Sequence, residues 1–334
     1  MLSAMKEKIE PDRVYGEYQE GSPVVTELMA SKPIQRLKGL NQYGIPDRYY
    51  HLKGFSRFDH SLGVMLLLRH LGASEEEQVA GLLHDVSHRA FSHVYDWVVG
   101  TTGEENSQDD DHDRFIRNTE IPLILKRHGY DVARITDYHN FGLLERESPD
   151  LCADRVDYLL REIEPELAKE IFGGLMTFEG QIVCKDQETA TELGQAFLTR
   201  QIEHWGGWEG TSRYYLLSSV LKSALGKGII RKEDFLNNDD YIMGKLEGSS
   251  DKSILKVLSD LRHNPLQLEA NGPTVKKKFR YIDPPFMVNG ILIKLTGVNK
   301  DYAESLKRAR QENQKGVTVP RFNEVSAYQI PGSV

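Results

Sequence analysis

The chain has 334 residues, 39% of them hydrophobic and 28% charged, which is enough apolar material for a packed core and excludes wholesale disorder. Its formal net charge of −8 argues against a protein that coats nucleic acid, and no apolar run approaches the about 20 residues of a membrane span. Two cysteines are too few for a disulfide framework, and residues 1–11 lack an apolar signal core, so we expect a cytoplasmic protein.

Helical patterns dominate the first two thirds of the sequence. They combine apolar residues at helical spacing with capping residues at the starts and Gly or Pro at the ends. A short hairpin is predicted over residues 178–184, around Glu179-Gly180. The predicted helices are residues 57–71, a helix opened by the capping box Ser74-Glu75-Glu76-Glu77, a helix from Ser148-Pro149 to about Pro165, a helix from Asp186 to Gly206-Gly207, and residues 211–225.

The last third of the chain has a different character. Residues 276–282 and 290–296 have strand patterns, separated by the break Asp283-Pro284-Pro285. Residues 300–313 predict a charged surface helix, and 317–334 a loose tail. We therefore predict a mainly α fold with two parts: a helical domain over residues 1–225 and a smaller α+β subdomain with its tail over 226–334.

Two charged segments stand out. Residues 103–113 are strongly acidic, which is typical of a solvated loop. The segment Lys276-Lys277-Lys278-Phe279-Arg280 is basic with one aromatic residue. Because alternate residues of a strand face opposite sides, this segment is equally consistent with a solvated strand face and with a contact to an anion.

The chemistry is concentrated on three predicted helices. His60 lies early in the first helix, His84-Asp85 closes the second, and Asp154 lies on the third. Two imidazoles and two carboxylates form a mixed nitrogen and oxygen set, which suits one divalent transition metal such as Mn, Fe, Co, Ni or Zn, or less well Mg. Four protein ligands leave positions open for a water and a substrate oxygen, as metal-assisted hydrolysis requires.

The order of these residues resembles the HD superfamily of metal-dependent phosphohydrolases. The sequence motifs around these residues are similar to those of one branch, the deoxynucleoside triphosphate triphosphohydrolases, over residues 30–210. The resemblance implies the helical HD fold and hydrolysis of a nucleotide. The matching words are Ile34-Gln35-Arg36-Leu37, Arg57-Phe58-Asp59-His60-Ser61, Ala80-Gly81-Leu82-Leu83-His84-Asp85, Phe91-Ser92-His93 with Asp96, and Asp154-Arg155-Val156-Asp157-Tyr158.

The resemblance also implies roles for particular residues. His93 would protonate the leaving oxygen and Asp96 would orient it, while His88 and His112 would face the phosphates. The implied metal ligands are His60, His84, Asp85 and Asp154, and the implied substrate-binding residues are Arg57, Tyr158, Arg200, Gln42 and His204. Two residues of the implied sugar pocket differ from the family. Tyr43 follows Gln42, and Trp208 stands where the family commonly has a tyrosine.

The sequence leaves several functions open. The leading interpretation is a nucleoside triphosphate triphosphohydrolase. The HD scaffold also hosts nucleoside monophosphate phosphatases and phosphodiesterases, and a non-catalytic nucleotide sensor is the alternative of a different class. A nuclease is disfavoured by the net charge. The resemblance further implies a homo-oligomer, a dimer or larger, as is usual for soluble oligomers.

Overall fold

The computed structural model describes residues 11–18, 22–101, 105 and 107–322. The fold is mainly α, as predicted. None of the helices in this described part is both long and apolar enough to cross a bilayer. The α-helices are α1 Pro23–Ala30, α2 Lys32–Arg36, α3 Arg57–His70, α4 Glu75–Leu83, α5 Ser92–Val99, α6 Ser107–Arg117, α7 Ile121–Arg127, α8 Val132–Thr136, α9 Ala153–Glu162, α10 Pro165–Gly173, α11 Gln187–Arg200, α12 Trp208–Gly226, α13 Asp239–Glu247, α14 Lys252–Leu261, α15 Leu295–Val298 and α16 Lys300–Lys315.

The strands form two small antiparallel-rich sheets. The larger has the order β1-β2-β4-β5, in which β2 and β4 are parallel and the other neighbours antiparallel. The smaller pairs β3 with β6. The strands are β1 Leu175–Phe178, β2 Gln181–Cys184, β3 Thr274–Val275, β4 Pro285–Val288, β5 Ile291–Lys294 and β6 Val317–Thr318.

Helix α3 is the centre of the structure. It begins where the sequence predicts, because Ser56 and Asp59 form a reciprocal capping box at its first turn. It is buried on most of its sides and packs against α4 and α9. The three helices that carry the predicted metal ligands are therefore direct neighbours.

The capping box predicted for α4 is only half formed. The Ser74 hydroxyl accepts the N–H of Glu77, as predicted. The Glu77 carboxylate instead accepts the backbone N–H groups of Leu143 and Leu144, at 2.8 and 3.1 Å. This carboxylate therefore ties α4 to the loop before α9.

The third predicted helix starts later than its proline suggests. Helix α9 begins at Ala153 with Cys152 as its N-cap, so the prediction of a start at Ser148-Pro149 is wrong. The Pro149 carbonyl accepts the N–H of Asp283 at 2.9 Å and is not available to a helix. The predicted end near Pro165 is confirmed, since α9 stops at Glu162 and α10 starts at Pro165.

Two predictions for charged segments are wrong. Residues 107–113 of the predicted acidic loop lie in α6, where Arg114 and Arg117 pair with Asp111 and Asp113 and offset their repulsion; residues 102–104 and 106 lie outside the described part. Residues 276–282 do not form a strand. Their backbone bonds to side chains instead: Asn313 donates to the Lys277 carbonyl, and Gln201 accepts the Arg280 N–H.

The remaining predicted elements are formed. The hairpin is β1 and β2, Asp186 caps α11, and a π-helical turn Gln201–Trp205 carries that helix to Gly206. Of the predicted tail, residues 317–318 pair with β3, and 323–334 lie outside the described residues. The C-terminal strands β4 and β5 extend the β1–β2 hairpin into one sheet through the Cys184–Phe286 pairing. The predicted division of the chain into two parts at residue 225 stays a prediction.

Candidate metal centre and active site

The structure brings the four predicted metal ligands together. His60 Nε2 lies 2.9 Å from Asp154 Oδ1 and 3.2 Å from His84 Nε2. His84 Nε2 lies 3.6 Å from Asp154 Oδ1, and the Asp85 carboxylate lies 3.6 Å from the Nε2 atoms of both histidines. The four side chains thus point their ligand atoms at one small volume between α3, α4 and α9.

Hydrogen bonds on the far side of each imidazole fix which nitrogen faces this volume. His84 Nδ1 lies 2.7 Å from the Gly81 carbonyl, which can only accept, so Nδ1 carries the hydrogen. His60 Nδ1 is held in the same way by Asp157 Oδ2, also at 2.7 Å. In the neutral form both Nε2 lone pairs then converge at 3.2 Å, an arrangement that favours either a shared proton or a metal ion between them.

The electrostatics of the cluster fit a divalent cation. Burial lowers the pKa of His84, but Asp85 and Asp154 outweigh it and raise that pKa to about 9. Burial raises the pKa of Asp154, yet hydrogen bonds from His60 and His84 hold it well below its usual range. The cluster therefore attracts positive charge, and a proton and a metal ion would compete for it. Among the described residues, His60, His84 and Asp154 form one group whose ligand atoms all lie within 4.8 Å of one another and could hold an ion; the predicted ligand Asp85 is not a member of that group.

A neighbouring group of possible ligands is already neutralised. Glu145, Cys152 and Asp154 also lie within ligand distance of one another. Arg155 Nη2 donates to Glu145 Oε1 at 3.1 Å, and burial raises the pKa of that carboxyl to about 7. Arg155 thus already provides a positive partner for one carboxylate of this group.

Asp157, to which the resemblance gives no role, is the residue that orients His60. It is fully buried and also accepts hydrogen bonds from Tyr15 Oη at 2.7 Å and Arg161 Nε at 2.8 Å. Its spacing of three residues from Asp154 on α9 is the sequence signal that could have indicated it.

We expect Asp157→Asn to lower metal affinity by about 10- to 100-fold, because a carboxylate behind a ligating imidazole raises its basicity and fixes its ring. Metal content by mass spectrometry after dialysis against a graded chelator measures the effect. Tyr15→Phe is the matched control, since it removes a different hydrogen bond to the same carboxylate and leaves His60 held. Equal metal retention in the two variants contradicts this role.

Arg57 and His88 both contact Asp85, one of the predicted metal ligands. Arg57 Nη1 lies 2.5 Å from Asp85 Oδ2, and His88 Nε2 lies 3.2 Å from Oδ1. Burial lowers the pKa of His88 to about 3, and Arg57 adds to this shift. Arg57 also donates to Ser92 Oγ and reaches the Gln42 carbonyl at 3.4 Å.

His93 and Asp96 form the pair that the resemblance implies. His93 Nδ1 lies 3.2 Å from Asp96 Oδ2, and the imidazole remains 23% exposed. The other Asp96 oxygen accepts from the Thr101 hydroxyl and the Ser107 N–H, both at 3.1 Å. Burial opposes ionisation, but the hydrogen bonds from His93 and Ser107 lower the pKa of Asp96 to about 2. The carboxylate is therefore a fixed anion behind the imidazole.

The backbone that carries His93 is strained. Phe91 and Ser92 have φ values of 67° and 46°, a region that side-chain-bearing residues rarely adopt. The Phe91 N–H donates to Asp239 at 2.7 Å, and the Ser92 hydroxyl donates to the Asn41 carbonyl at 2.9 Å. These contacts hold the start of α5 in the conformation that turns His93 towards His88, with ring centres 5.2 Å apart.

His112 lies at the edge of the same pocket. Its Nδ1 is 3.0 Å from Ser87 Oγ, and its ring centre is 4.6 Å from that of Tyr138. Its buried Nε2 has no hydrogen-bond partner among the described residues. Burial lowers the pKa of His112 to about 3, so the imidazole is neutral at pH 7.

We expect His112→Asn to flatten the acid limb of the stability curve. An unfolded histidine takes up a proton near pH 6.5, whereas folded His112 does so only near pH 3. Between these values the unfolded state binds one more proton, so the free energy of unfolding falls as pH falls, by about 1.4 kcal/mol per pH unit. Urea unfolding between pH 7 and 5 measures the slope in both proteins, and identical slopes contradict the assignment.

Of the two residues predicted near the sugar, His204 lies in an aromatic cluster with Tyr43 and Tyr50. His204 is buried, with Nδ1 at 2.8 Å from Glu162 Oε2 and Nε2 at 2.8 Å from Tyr50 Oη. Its ring centre lies 4.7 Å from that of Tyr43. Trp208, which stands where the family commonly has a tyrosine, donates its indole N–H to the carbonyl of Thr318 in β6.

Tyr158 links this cluster to the metal centre. Its ring centre lies 6.4 Å from that of His60 and 5.2 Å from that of Trp205, the neighbour of His204. Burial raises the pKa of Tyr43, and Arg200 lies close enough to oppose part of that rise. Arg200 also pairs with Glu203 at 3.7 Å. The predicted substrate-binding residues thus extend from the metal centre towards the aromatic cluster.

Comparison with known proteins agrees with this geometry. The family model for the HD domain matches residues 57–162, which hold all four predicted metal ligands. The chain is 34% identical over 323 residues to YdhJ of Bacillus subtilis (strain 168), covering 92% of this chain and 97% of that protein. It is 34% identical over 231 residues to the metal-dependent phosphohydrolase cns2 of Cordyceps militaris, covering 66% of this chain and 67% of that protein.

Two more distant matches extend the comparison. A deoxynucleoside triphosphate triphosphohydrolase SAMHD1 homolog of Dictyostelium discoideum is 24% identical over 315 residues, covering 79% of this chain and 60% of that protein. A phosphohydrolase structure from Bacteroides thetaiotaomicron superposes with a TM-score of 0.61 at 16% identity, covering 87% of this chain and 94% of that one, and shows the same fold. The chain therefore belongs to the HD-domain family of metal-dependent phosphohydrolases.

Proposed function

We propose that this hydrolase acts on a nucleotide, as a (deoxy)nucleoside triphosphate triphosphohydrolase. The observation that carries the proposal is the position of Tyr158, which lies near the metal ligand His60 on one side and the aromatic cluster around His204 on the other. A phosphate at the metal centre and a nucleoside against aromatic rings would fit that arrangement. The name of the Dictyostelium relative supports the same substrate class.

Unsatisfied polar atoms support a polar ligand in this region. Gln42 Oε1, His112 Nε2 and Arg200 Nε are buried and have no hydrogen-bond partner among the described residues. Buried polar atoms are nearly always bonded in folded proteins, so these three atoms are expected to contact a substrate or its waters. All three residues belong to the predicted site.

In this proposal the protein residues position the phosphate and move one proton. A divalent ion held by His60, His84, Asp85 and Asp154 would activate water and neutralise charge on the phosphate. Arg57, which is held by its ion pair with Asp85, would bind a non-bridging oxygen of the phosphate.

The imidazoles have separate tasks. His93 would donate its proton to the leaving oxygen, with Asp96 holding the ring. Neutral His88 would steady Asp85, and neutral His112 would present its free Nε2 edge to the phosphates. Tyr158, Arg200, Gln42 and His204 would contact the remaining phosphates and the sugar.

A nucleotide panel tests the proposal. The metal-reconstituted protein is incubated with nucleoside tri-, di- and monophosphates, in ribose and deoxyribose forms, and with a nucleotide phosphodiester, and the products are identified by ion chromatography. Free tripolyphosphate supports the proposed reaction. Orthophosphate from monophosphates, or a product from phosphodiesters alone, instead identifies the phosphatase or phosphodiesterase alternative. The two-part organisation at residue 225 and the homo-oligomer belong to the same proposal, and light scattering measures the latter.

A further inference from the structure

The basic segment Lys276-Lys277-Lys278-Phe279-Arg280 places two cations inside the protein. Lys277 is only 8% exposed, and its Nζ lies 3.6 Å from the ring centre of Tyr214 on α12. Within the residues that the structure describes, this Nζ has no hydrogen-bond or ion-pair partner. Glu105 and Glu162 are close enough to act on this ammonium group, but neither forms an ion pair with it. A buried ammonium group without a direct ion pair is costly, so a ligand anion would complete its surroundings.

Arg280 is held next to Lys277 but is only partly satisfied. Its Nη2 pairs with Glu105, whose side chain is 1% exposed, while the Arg280 side chain keeps 20% exposure. Glu105 is the side-chain partner of this guanidinium among the described residues, which leaves other N–H groups of the fork available to a ligand. The Glu105 Oε1 atom is buried without a partner, so the carboxylate does not close a complete network.

Both cations lie beside elements that carry the candidate active site. The Tyr214 ring against which Lys277 packs has its centre 5.9 Å from that of Trp97 on α5, the helix that holds His93 and Asp96. The backbone N–H of Arg280 donates to Gln201 in the π-helical turn that also holds His204. In agreement with this placement, the charges of Arg280, His93 and Lys277 hold the pKa of Glu105 low against its burial.

The segment is fixed in this position from two sides. The Lys277 carbonyl accepts from Asn313 Nδ2 of α16 at 3.0 Å, and the Arg280 N–H donates to Gln201 Oε1 of the π-helical turn at 3.0 Å. Burial lowers the pKa of Lys277 to about 8, which leaves the ammonium charged at neutral pH. The C-terminal part of the chain thus contributes two preorganised cations to the helical domain.

We propose that Lys277 and Arg280 bind the phosphate groups of the substrate that extend beyond the phosphate at the metal centre. The inference rests on the proposed nucleotide function and adds the residues that would make the enzyme prefer a polyphosphate. The ammonium supplies a point charge, and the guanidinium supplies forked N–H donors, which together match adjacent phosphates. Glu105 positions Arg280 through its ion pair with the guanidinium.

The test measures binding and turnover on the metal-loaded protein. Inorganic tripolyphosphate and orthophosphate are titrated by calorimetry, with metal content measured afterwards, and kcat/KM is measured for a nucleoside tri-, di- and monophosphate. Lys277→Met and Arg280→Met are each expected to weaken tripolyphosphate binding by about 10- to 100-fold and to leave orthophosphate binding unchanged. The loss in kcat/KM should increase with the number of phosphates.

Three control variants keep the result interpretable. Lys276→Met makes the same change at an exposed lysine of the same segment and should leave binding unchanged. The double variant Glu105→Gln/Arg280→Met leaves no unpaired carboxylate buried at position 105, and it should still lose tripolyphosphate binding. Lys277→Arg retains the positive charge and should retain most of the tripolyphosphate binding.

The outcomes separate this inference from the function on which it rests. Unchanged tripolyphosphate binding in folded Lys277→Met and in the double variant overturns the inference, as does an equal loss for tri-, di- and monophosphates. If the wild type hydrolyses no nucleotide but the variants lose tripolyphosphate binding, the nucleotide function fails and the anion site stands.

Discussion

Replacing Asp154 with alanine is expected to remove metal and activity together. Its Oδ1 lies 2.9 Å from His60 Nε2 and 3.6 Å from His84 Nε2. Of the two predicted carboxylate ligands, it is therefore the closer to His60 Nε2 and as close to His84 Nε2 as Asp85 is. Loss of a residue that only orients a ligand weakens metal binding by about 10- to 100-fold, so loss of the ligand itself should exceed about 100-fold. Metal-dependent charge stabilisation contributes several kcal/mol, so turnover should fall by about 10³-fold or more.

Metal content and hydrolysis measured on one preparation check this expectation. Asp301→Ala, at an exposed position on α16, is the matched control and should behave as wild type. Adding excess metal should restore part of the activity if weakened binding is the cause. Full metal occupancy in Asp154→Ala after dialysis removes Asp154 from the ligand set.

The helical core could be predicted because its signals are local. Ser56 and Asp59 cap α3, and apolar residues at helical spacing continue from there, so His60 could be placed on a buried helix from the sequence alone. Residue spacing alone could not show that α3, α4 and α9 are neighbours. The resemblance implied that their side chains share one metal site, and the structure places those side chains close together.

What the sequence could not predict depends on long-range contacts. The alternation in residues 276–282 is typical of a strand, but Asn313 and Gln201 bind their backbone and turn Lys277 and Arg280 inwards. Those partners lie 36 and 79 residues away along the chain, so no local pattern reveals them. The roles of Asp157 and Glu105 were missed for the same reason, because each acts on a residue of another element.

Replacing His93 with alanine is expected to reduce turnover by about 10²- to 10⁴-fold while metal binding persists. These factors are typical of the loss of a general acid. His93 lies outside the ligand cluster and contacts Asp96 instead, at 3.2 Å. The buried Asp96 carboxylate, with its pKa lowered to about 2, keeps the imidazole in one orientation. The leaving oxygen of a phosphate ester departs poorly as an alkoxide, so removing its proton donor should slow the chemical step.

The alternative is that His93 only packs beside Trp97, and a second variant separates the two. Asp96→Asn keeps the shape of the pair but removes the charge that orients the ring, so it should lower kcat by less than His93→Ala and leave metal content intact.

A leaving group of low pKa, such as a nitrophenyl ester of a nucleotide, needs no protonation and should recover most of the turnover lost in His93→Ala. Packing alone would lower the melting temperature and leave turnover per folded molecule unchanged for both kinds of leaving group. Normal turnover in a folded, metal-loaded His93→Ala protein would remove His93 from the mechanism.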